Sequence, residues 1–165
     1  MPARARSRDA SRWSRASGSG WSAELDVCDG AGAMAPGDWA VLRTGDADVH
    51  VVRYALAGTF DHRRYDGAAM QGGAPIAGEA LEGGAGLALA PLDGSRMVLV
   101  GVSPSEALRA ATWDGTAWSS WATLVGPAAT ARRWLTTGGI AGGPSAVVWT
   151  ENRGSAHVIA GIRIR

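Results

Sequence analysis

Short runs of β-branched, aromatic and small apolar residues, each closed by a tight polar turn, recur along this chain. The first is Trp39-Ala40-Val41-Leu42-Arg43, followed by the polar stretch 44–48 and then Val49-His50-Val51-Val52-Arg53-Tyr54. A second pair, Leu87-Ala88-Leu89-Ala90 and Arg96-Met97-Val98-Leu99-Val100-Gly101-Val102, flanks Leu92-Asp93-Gly94. A third, Ala146-Val147-Val148-Trp149-Thr150 and Ala156-His157-Val158-Ile159-Ala160-Gly161-Ile162, flanks residues 151–154. Runs of this length around Asp-Gly or Asn-x-Gly turns predict β-hairpins. They are too short and too bounded by glycine for helices, and no segment reads as a helix.

Between the hairpins a second pattern repeats. It reads Arg15-Ala16-Ser17-Gly18-Ser19-Gly20-Trp21, Arg64-Tyr65-Asp66-Gly67-Ala68-Ala69-Met70 and Thr112-Trp113-Asp114-Gly115-Thr116-Ala117-Trp118. Each copy is a ring or small residue, a two-residue turn and, three positions on, a large apolar residue. Trp21 to Met70 is 49 residues and Met70 to Trp118 is 48. A fixed period of this size implies stacked units, each too small to bury its own apolar face.

One repeat therefore predicts four short strands, seen whole over 87–124. Val41 to Leu89 is again 48 residues, whereas Leu89 to Val147 is 58, which implies about ten inserted residues within Gly126 to Gly143. That stretch, rich in Gly, Ala and Thr, reads as an exposed loop. The third hairpin has no turn segment after it, and the first turn segment has no hairpin before it. Strands from the two ends, the N-terminal one beginning near Ser11, are thus expected to complete one shared sheet. Such closure hides two edges and makes 1–165 a single repeat domain.

Composition narrows the function. A chain of 165 residues can bury a sizeable core. Its net charge of +1 argues against a nucleic-acid grip, which needs a clustered basic surface. All 16 basic residues are arginine, with one Asn and one Gln, which reads as the codon bias of a GC-rich genome. Cys28 stands alone, so neither an internal disulfide nor a cysteine metal cluster is expected, and the thiol reads as a small buried group. No apolar run has the length of a membrane span. Residues 1–15 lack the apolar stretch of a secretory signal, so cytoplasmic synthesis is expected, with non-classical release as the route out.

Four-stranded units of this length are the blades of β-propellers, whose rings take four to eight blades. Three repeats leave the ring incomplete, so a homodimer with six blades is expected. The competing closed folds are the β-trefoil and the β-prism. The segment Trp113-Asp114-Gly115-Thr116-Ala117-Trp118-Ser119-Ser120-Trp121, preceded by a hairpin, resembles the blades of tryptophan-rich propeller lectins of bacteria and fungi. Among these are the fucose-binding lectins, in which an aromatic-Asp-Gly-x-x-Trp segment ends each blade. The likeness is sharp in this copy and partial at Arg64-Tyr65-Asp66-Gly67, where Met70 takes the tryptophan place; the first copy keeps only Trp21. The fucose-binding members place a glutamate shortly before the aromatic, where this chain has His62 and Ala110.

The resemblance implies a non-catalytic, multivalent glycan-binding protein with sites between blades. Trp21, Tyr65, Trp113 and Trp118 are the repeat-equivalent aromatic platforms, Arg64 and Asp114 their polar neighbours, and Trp121 a further ring beside the third turn. Eight tryptophans suit stacking on sugar faces, although inward rings also pack between sheets. Trp39 and Trp149, inside hairpin strands, are expected in the core. Arg132-Arg133-Trp134 reads as a solvated loop with one anchoring ring, able to meet a sugar or a protein. The alternative class is a structural or assembly component, of a virion or surface complex, whose rings and arginines contact other proteins.

Chemistry for catalysis is sparse. His50, His62 and His157 are scattered, with His50 and His157 in matched hairpin strands, which suggests a repeated packing position. No short-range spacing builds a metal site, and no cofactor is implied. Asp66, Asp93 and Asp114 are explained by turns, where Asp caps its own backbone and Gly takes positive φ. The sialidase Asp box, Ser/Thr-x-Asp-x-Gly-x-x-Trp, fails here because Gly115 directly follows Asp114. No enzyme is expected.

Overall fold

The computed structural model describes residues 39–45, 47–55, 58–139 and 143–164, together with the backbone of four two-residue strands nearer the N-terminus. The chain divides into two compact units, Met1–Met34 and Ala35–Arg165. In the first, β1 (Arg12–Trp13) pairs with β4 (Leu25–Asp26), and β2 (Ala16–Ser17) with β3 (Gly20–Trp21), both antiparallel. Cys28, the Trp21 side chain and the rest of the expected N-terminal strand lie outside the described residues.

The second unit is all-β: three antiparallel sheets with no helix among the described residues, so no helix is long and apolar enough to cross a membrane. Sheet one runs β5 (Trp39–Gly45), β6 (Asp48–Ala55), β7 (Thr59–Tyr65) and β8 (Met70–Gly72). Sheet two runs β9 (Leu87–Pro91), β10 (Met97–Val102), β11 (Leu108–Trp113) and β12 (Ala122–Val125). Sheet three runs β13 (Arg132–Gly139), β14 (Ser145–Arg153) and β15 (Ala156–Ile164). Each sheet is a meander in chain order, and the first strand of sheet two, β9, packs against the first strands of both others, β5 and β13. A groove of about 300 Å³ lies where these three strands meet, lined by Trp39, Leu87, Leu89 and Thr136 among others.

Sheet two is the middle layer, and its sequence shows why. Side chains alternate faces with period two. On β10, Met97 and Leu99 turn toward sheet one, while Val98, Val100 and Val102 turn toward sheet three. On β9, Leu87 and Leu89 join the first core, and Ala88 and Ala90 the second. A strand buried on both faces reads as an unbroken apolar run, which is how Met97–Val102 appears.

The third repeat is framed differently from the expectation. Residues 132–139, placed in an exposed inserted loop by the repeat count, form β13, the opening strand of sheet three, paired along β14. The hairpin at 145–164 is therefore the second and third strands of its sheet. Leu87 to Arg132, the starts of two successive first strands, is 45 residues, so no ten-residue insertion is needed. Trp149 is buried as expected, but Trp39 is 45% exposed. On β5 the inward phase belongs to Ala40 and Leu42, leaving Trp39, Val41 and Arg43 outward.

Candidate functional site

The recurring turn segment closes the same backbone pairing in all three copies. Antiparallel pairing joins residues five apart: Ala16 with Trp21, Tyr65 with Met70, Trp113 with Trp118. In the second copy Asp66 Oδ1 accepts the backbone N–H groups of Ala68 and Ala69, both at 3.0 Å. In the third, Asp114 Oδ1 accepts those of Thr116 and Ala117, both at 2.8 Å. The following glycines, Gly67 (φ +95°) and Gly115 (φ +108°), take the backbone conformation that a side chain resists. These hydrogen bonds favour the charged carboxyls. Ala69 and then Ala68 lower the Asp66 pKa, and Ala117 and then Thr116 lower that of Asp114.

The two turns border a cleft of about 400 Å³ between sheets one and two. Arg64, Asp66, Gln71 and Thr116 supply its polar groups, and His62 and Trp113 part of its wall. Arg64 is exposed and bound to Asp48, through Nε to Oδ1 at 2.7 Å and Nη2 to Oδ2 at 3.3 Å. Burial opposes ionisation of Asp48, but its bonds from Arg64 and Thr44 win and hold the carboxyl below its usual range. Gln71 Nε2 donates to Asp66 Oδ2 at 2.8 Å, which holds the amide at the rim.

Behind the cleft two histidines form a directed chain of hydrogen bonds. Trp118 Nε1–H donates to His62 Nδ1 at 3.1 Å, and His62 Nε2 lies 3.0 Å from His50 Nδ1. An indole nitrogen can only donate. His62 Nδ1 must therefore accept, its proton sits on Nε2, and His50 in turn carries its proton on Nε2. That proton faces Asp48 Oδ1, 3.4 Å away, close enough for attraction but too poorly aligned to satisfy the donor. The rings are nearly parallel, and Trp113 and Trp118 meet His62 edge-on at 5.2 and 5.4 Å. Burial, then the neighbouring His50, pushes His62 down to about 4; burial also lowers His50, against the pull of Asp48. Both rings are thus neutral at physiological pH. Gly73 closes against this cluster: its N–H donates to His62 O at 2.7 Å, and a Cβ there would run into the imidazole.

The site residues expected from sequence separate into two groups. Arg64 is exposed on the cleft, beside the Asp66–Gly67 turn. Tyr65 is buried, its hydroxyl donating to Gly67 O at 2.7 Å, and Trp113 is 5% exposed, so neither offers a free face as a stacking platform. Trp118 is half-buried against His62. Trp121 is half-buried too, packed on Phe60 at 5.1 Å with Nε1 donating to Ala77 O at 2.8 Å. Asp114 caps its turn. The cleft adds three residues not singled out from sequence: His62, Gln71 and Thr116. A signal existed for His62, which occupies the place three residues before Tyr65 where the lectin pattern has glutamate. His50 and His157 are not equivalent: His50 is fully buried and His157 is exposed on β15.

No group of three His, Cys, Asp or Glu side chains is arranged to hold a metal ion among the described residues. The groups lining the cleft can hydrogen-bond a ligand, with carboxylate, amide and hydroxyl oxygens as acceptors and the Arg64 guanidinium as donor. No protein-family model matches this chain, and no curated protein sequence matches it.

Proposed function

We propose that this chain is a non-catalytic glycan-binding protein of the propeller-lectin kind, with its sheets as blades and a second copy completing the ring. The observation that carries the reading is the cleft between the two Asp-Gly turns, where Arg64, Asp66, Gln71 and Thr116 converge over an aromatic and imidazole wall. Donors and acceptors in one concave patch suit a polyhydroxylated ligand. The propeller reading is supported by three meanders in chain order whose first strands adjoin. Repetition of weak sites would give avidity without tight single-site binding.

The test is a glycan array read with the intact chain and with Arg64→Ala and Gln71→Ala, alongside mass in solution by light scattering. The expected result is a dimer that binds a glycan and loses that binding in both variants with unchanged melting temperature. A monomer would remove the completed ring, and an array without a hit would remove the glycan reading.

Protein assembly is the second reading. It is favoured by Trp39 and Val41, which expose large apolar side chains side by side on the outward face of β5. Exposed apolar groups of this kind mark contact surfaces when they are contiguous. An oligomer that ignores every sugar would support it.

A further inference from the structure

Trp134 is the most exposed tryptophan among the described residues, at 73%. Its backbone has φ +56°, the left-handed region that disfavours bulky side chains. It sits in a bulge of β13: Arg133 lies opposite Thr150 and Thr136 opposite Val148, so the strand carries one extra residue there.

This bulge is braced from both sides. The Arg132 backbone N–H donates to Glu106 Oε2 at 2.7 Å, and Arg132 Nη1 to the carbonyls of Glu106 and Gly126 at 2.5 and 2.8 Å. Arg133 Nη1 bonds both Glu106 carboxylate oxygens at 3.0 Å, and Thr150 Oγ1 donates to Arg133 O at 3.1 Å. Glu106 is itself in the left-handed region, at φ +61°. On the far side of the ring Leu135 is buried in the core between sheets two and three. Glu106 thus anchors Arg132 and Arg133, the two residues before Trp134, and strain of this kind persists only where the surroundings enforce it.

Glycine would adopt the same backbone without a side-chain clash, and asparagine with less strain than tryptophan. The chain instead carries its bulkiest side chain there and leaves it in solvent. We infer that Trp134 is a ligand-stacking ring, a glycan subsite apart from the cleft, that lays its bare face on the C–H face of a pyranose. This rests on the glycan reading above and supplies the open platform that the buried Tyr65 and Trp113 do not. A protein contact fits less well, because hot-spot rings sit among packed apolar neighbours. Here the neighbours along the strand are Arg133 and the exposed Thr136, and Arg133 reaches the carboxylates of Glu106 and, at 3.8 Å, Glu82. Charged groups around one open ring suit hydroxyls at a sugar's rim.

The test uses Trp134→Gly and Trp134→Asn in the full chain, with glycan-array binding, affinity for the best array hit, melting temperature and mass in solution. Both variants are expected to melt at or above the wild-type temperature, because the strained φ is relieved, and to bind the hit about tenfold more weakly. Lower melting temperatures in both would make the ring a structural element and overturn the inference. Unchanged affinity would overturn it while leaving the glycan reading intact. Loss of a wild-type dimer in the variants would reassign Trp134 to a protein contact. A wild-type chain that binds no glycan removes the reading and this inference with it.

Discussion

Sheet two offers one face to sheet one and the other to sheet three, and the two seams are built differently from the same strands. The seam with sheet three is packed mainly by aliphatic side chains, Val98, Val100 and Val102 against Leu135 and Val147, with the Trp149 ring among them. Its polar groups are paired: Glu151 accepts Trp149 Nε1 at 3.0 Å and Arg153 Nη2 at 2.7 Å, and meets Arg132 Nε at 3.4 Å. The Thr137 and Ser145 hydroxyls donate to the Leu89 and Pro91 carbonyls, stitching sheet three to the outer edge of β9. The seam with sheet one adds rings with polar edges, His50, His62, Trp113, Trp118 and Trp121, to its aliphatic core. Aliphatic groups fill space in any direction, whereas rings with N–H edges must also satisfy directional bonds. The seam with more rings is the one that leaves the cleft of about 400 Å³ at its rim.

The sharpest way to break the seam with sheet three is Glu151→Ala, which strands the buried Arg132 guanidinium without its carboxylate. The expected loss is about 3 kcal/mol, read by urea denaturation. A loss below about 1 kcal/mol would mean that the Glu106 and Gly126 carbonyls alone satisfy Arg132. Acid separates the seams further. Glu151 is held down to about 2 by the Trp149 hydrogen bond first, then by Arg153 and Arg132. Its folded-state pKa lies below the ordinary 4.5, so its stabilisation is complete above pH 4.5 and is lost as pH falls toward 2.

His62 works in a higher window. It stays neutral in the fold to about pH 4, while the unfolded chain takes up the proton near 6.5, so stability falls as pH drops between those values. Denaturation midpoints against pH should show two declines. Replacing His50 and His62 together by Gln should flatten the upper one, and Glu151→Gln should make the lower one shallower, the remainder belonging to Asp48, Asp66 and Asp114. Both declines surviving in both variants would sink this assignment.

Trp118→Phe sharpens the comparison from the other side. Phenylalanine keeps a ring beside His62 but removes the donor, leaving Nδ1 unsatisfied at a cost of about 1–2 kcal/mol. The freed nitrogen can then take a proton, so the His62 pKa should rise from about 4 without reaching 6.5, because burial, the larger cause, remains. An NMR titration that leaves His62 unmoved would refute the donor chain.

The strands of sheets one and two were legible in the sequence because each obeys a local rule: alternation sets the face, and Asp-Gly sets the turn. Sheet three departs from its sequence signal for a local reason as well. The 145–164 hairpin, with Asn152-Arg153-Gly154 at its tip, copies the signal of the earlier hairpins, while the bulge at Trp134 breaks alternation in β13 and Thr136-Thr137-Gly138-Gly139 imitates a loop. The same shift makes His50 and His157 look equivalent in the sequence. In the fold β6 matches β14, and His157 falls on the following strand, β15. Arg64 was legible as a site residue because it adjoins a turn. The approach of His62 to Trp118, 56 positions apart, is set by packing between sheets and leaves no trace in spacing.

The smallest expected effects compare two turn glycines, one on the cleft and one in sheet three. Gly154 has φ +70° with open space around it, so Gly154→Ala meets backbone strain alone, about 1 kcal/mol. Gly115 has φ +108°, and a Cβ there would lie 2.7 Å from Ser95 Oγ, so Gly115→Ala meets strain and a neighbour together, about 2 kcal/mol. The double variant Gly115→Ala with Ser95→Gly removes the neighbour and should return Gly115→Ala to the cost of Gly154→Ala. If it does not, the excess lies in the turn itself, whose Asp114 cap and positive φ would then be set by the backbone rather than by contact with the β9–β10 turn.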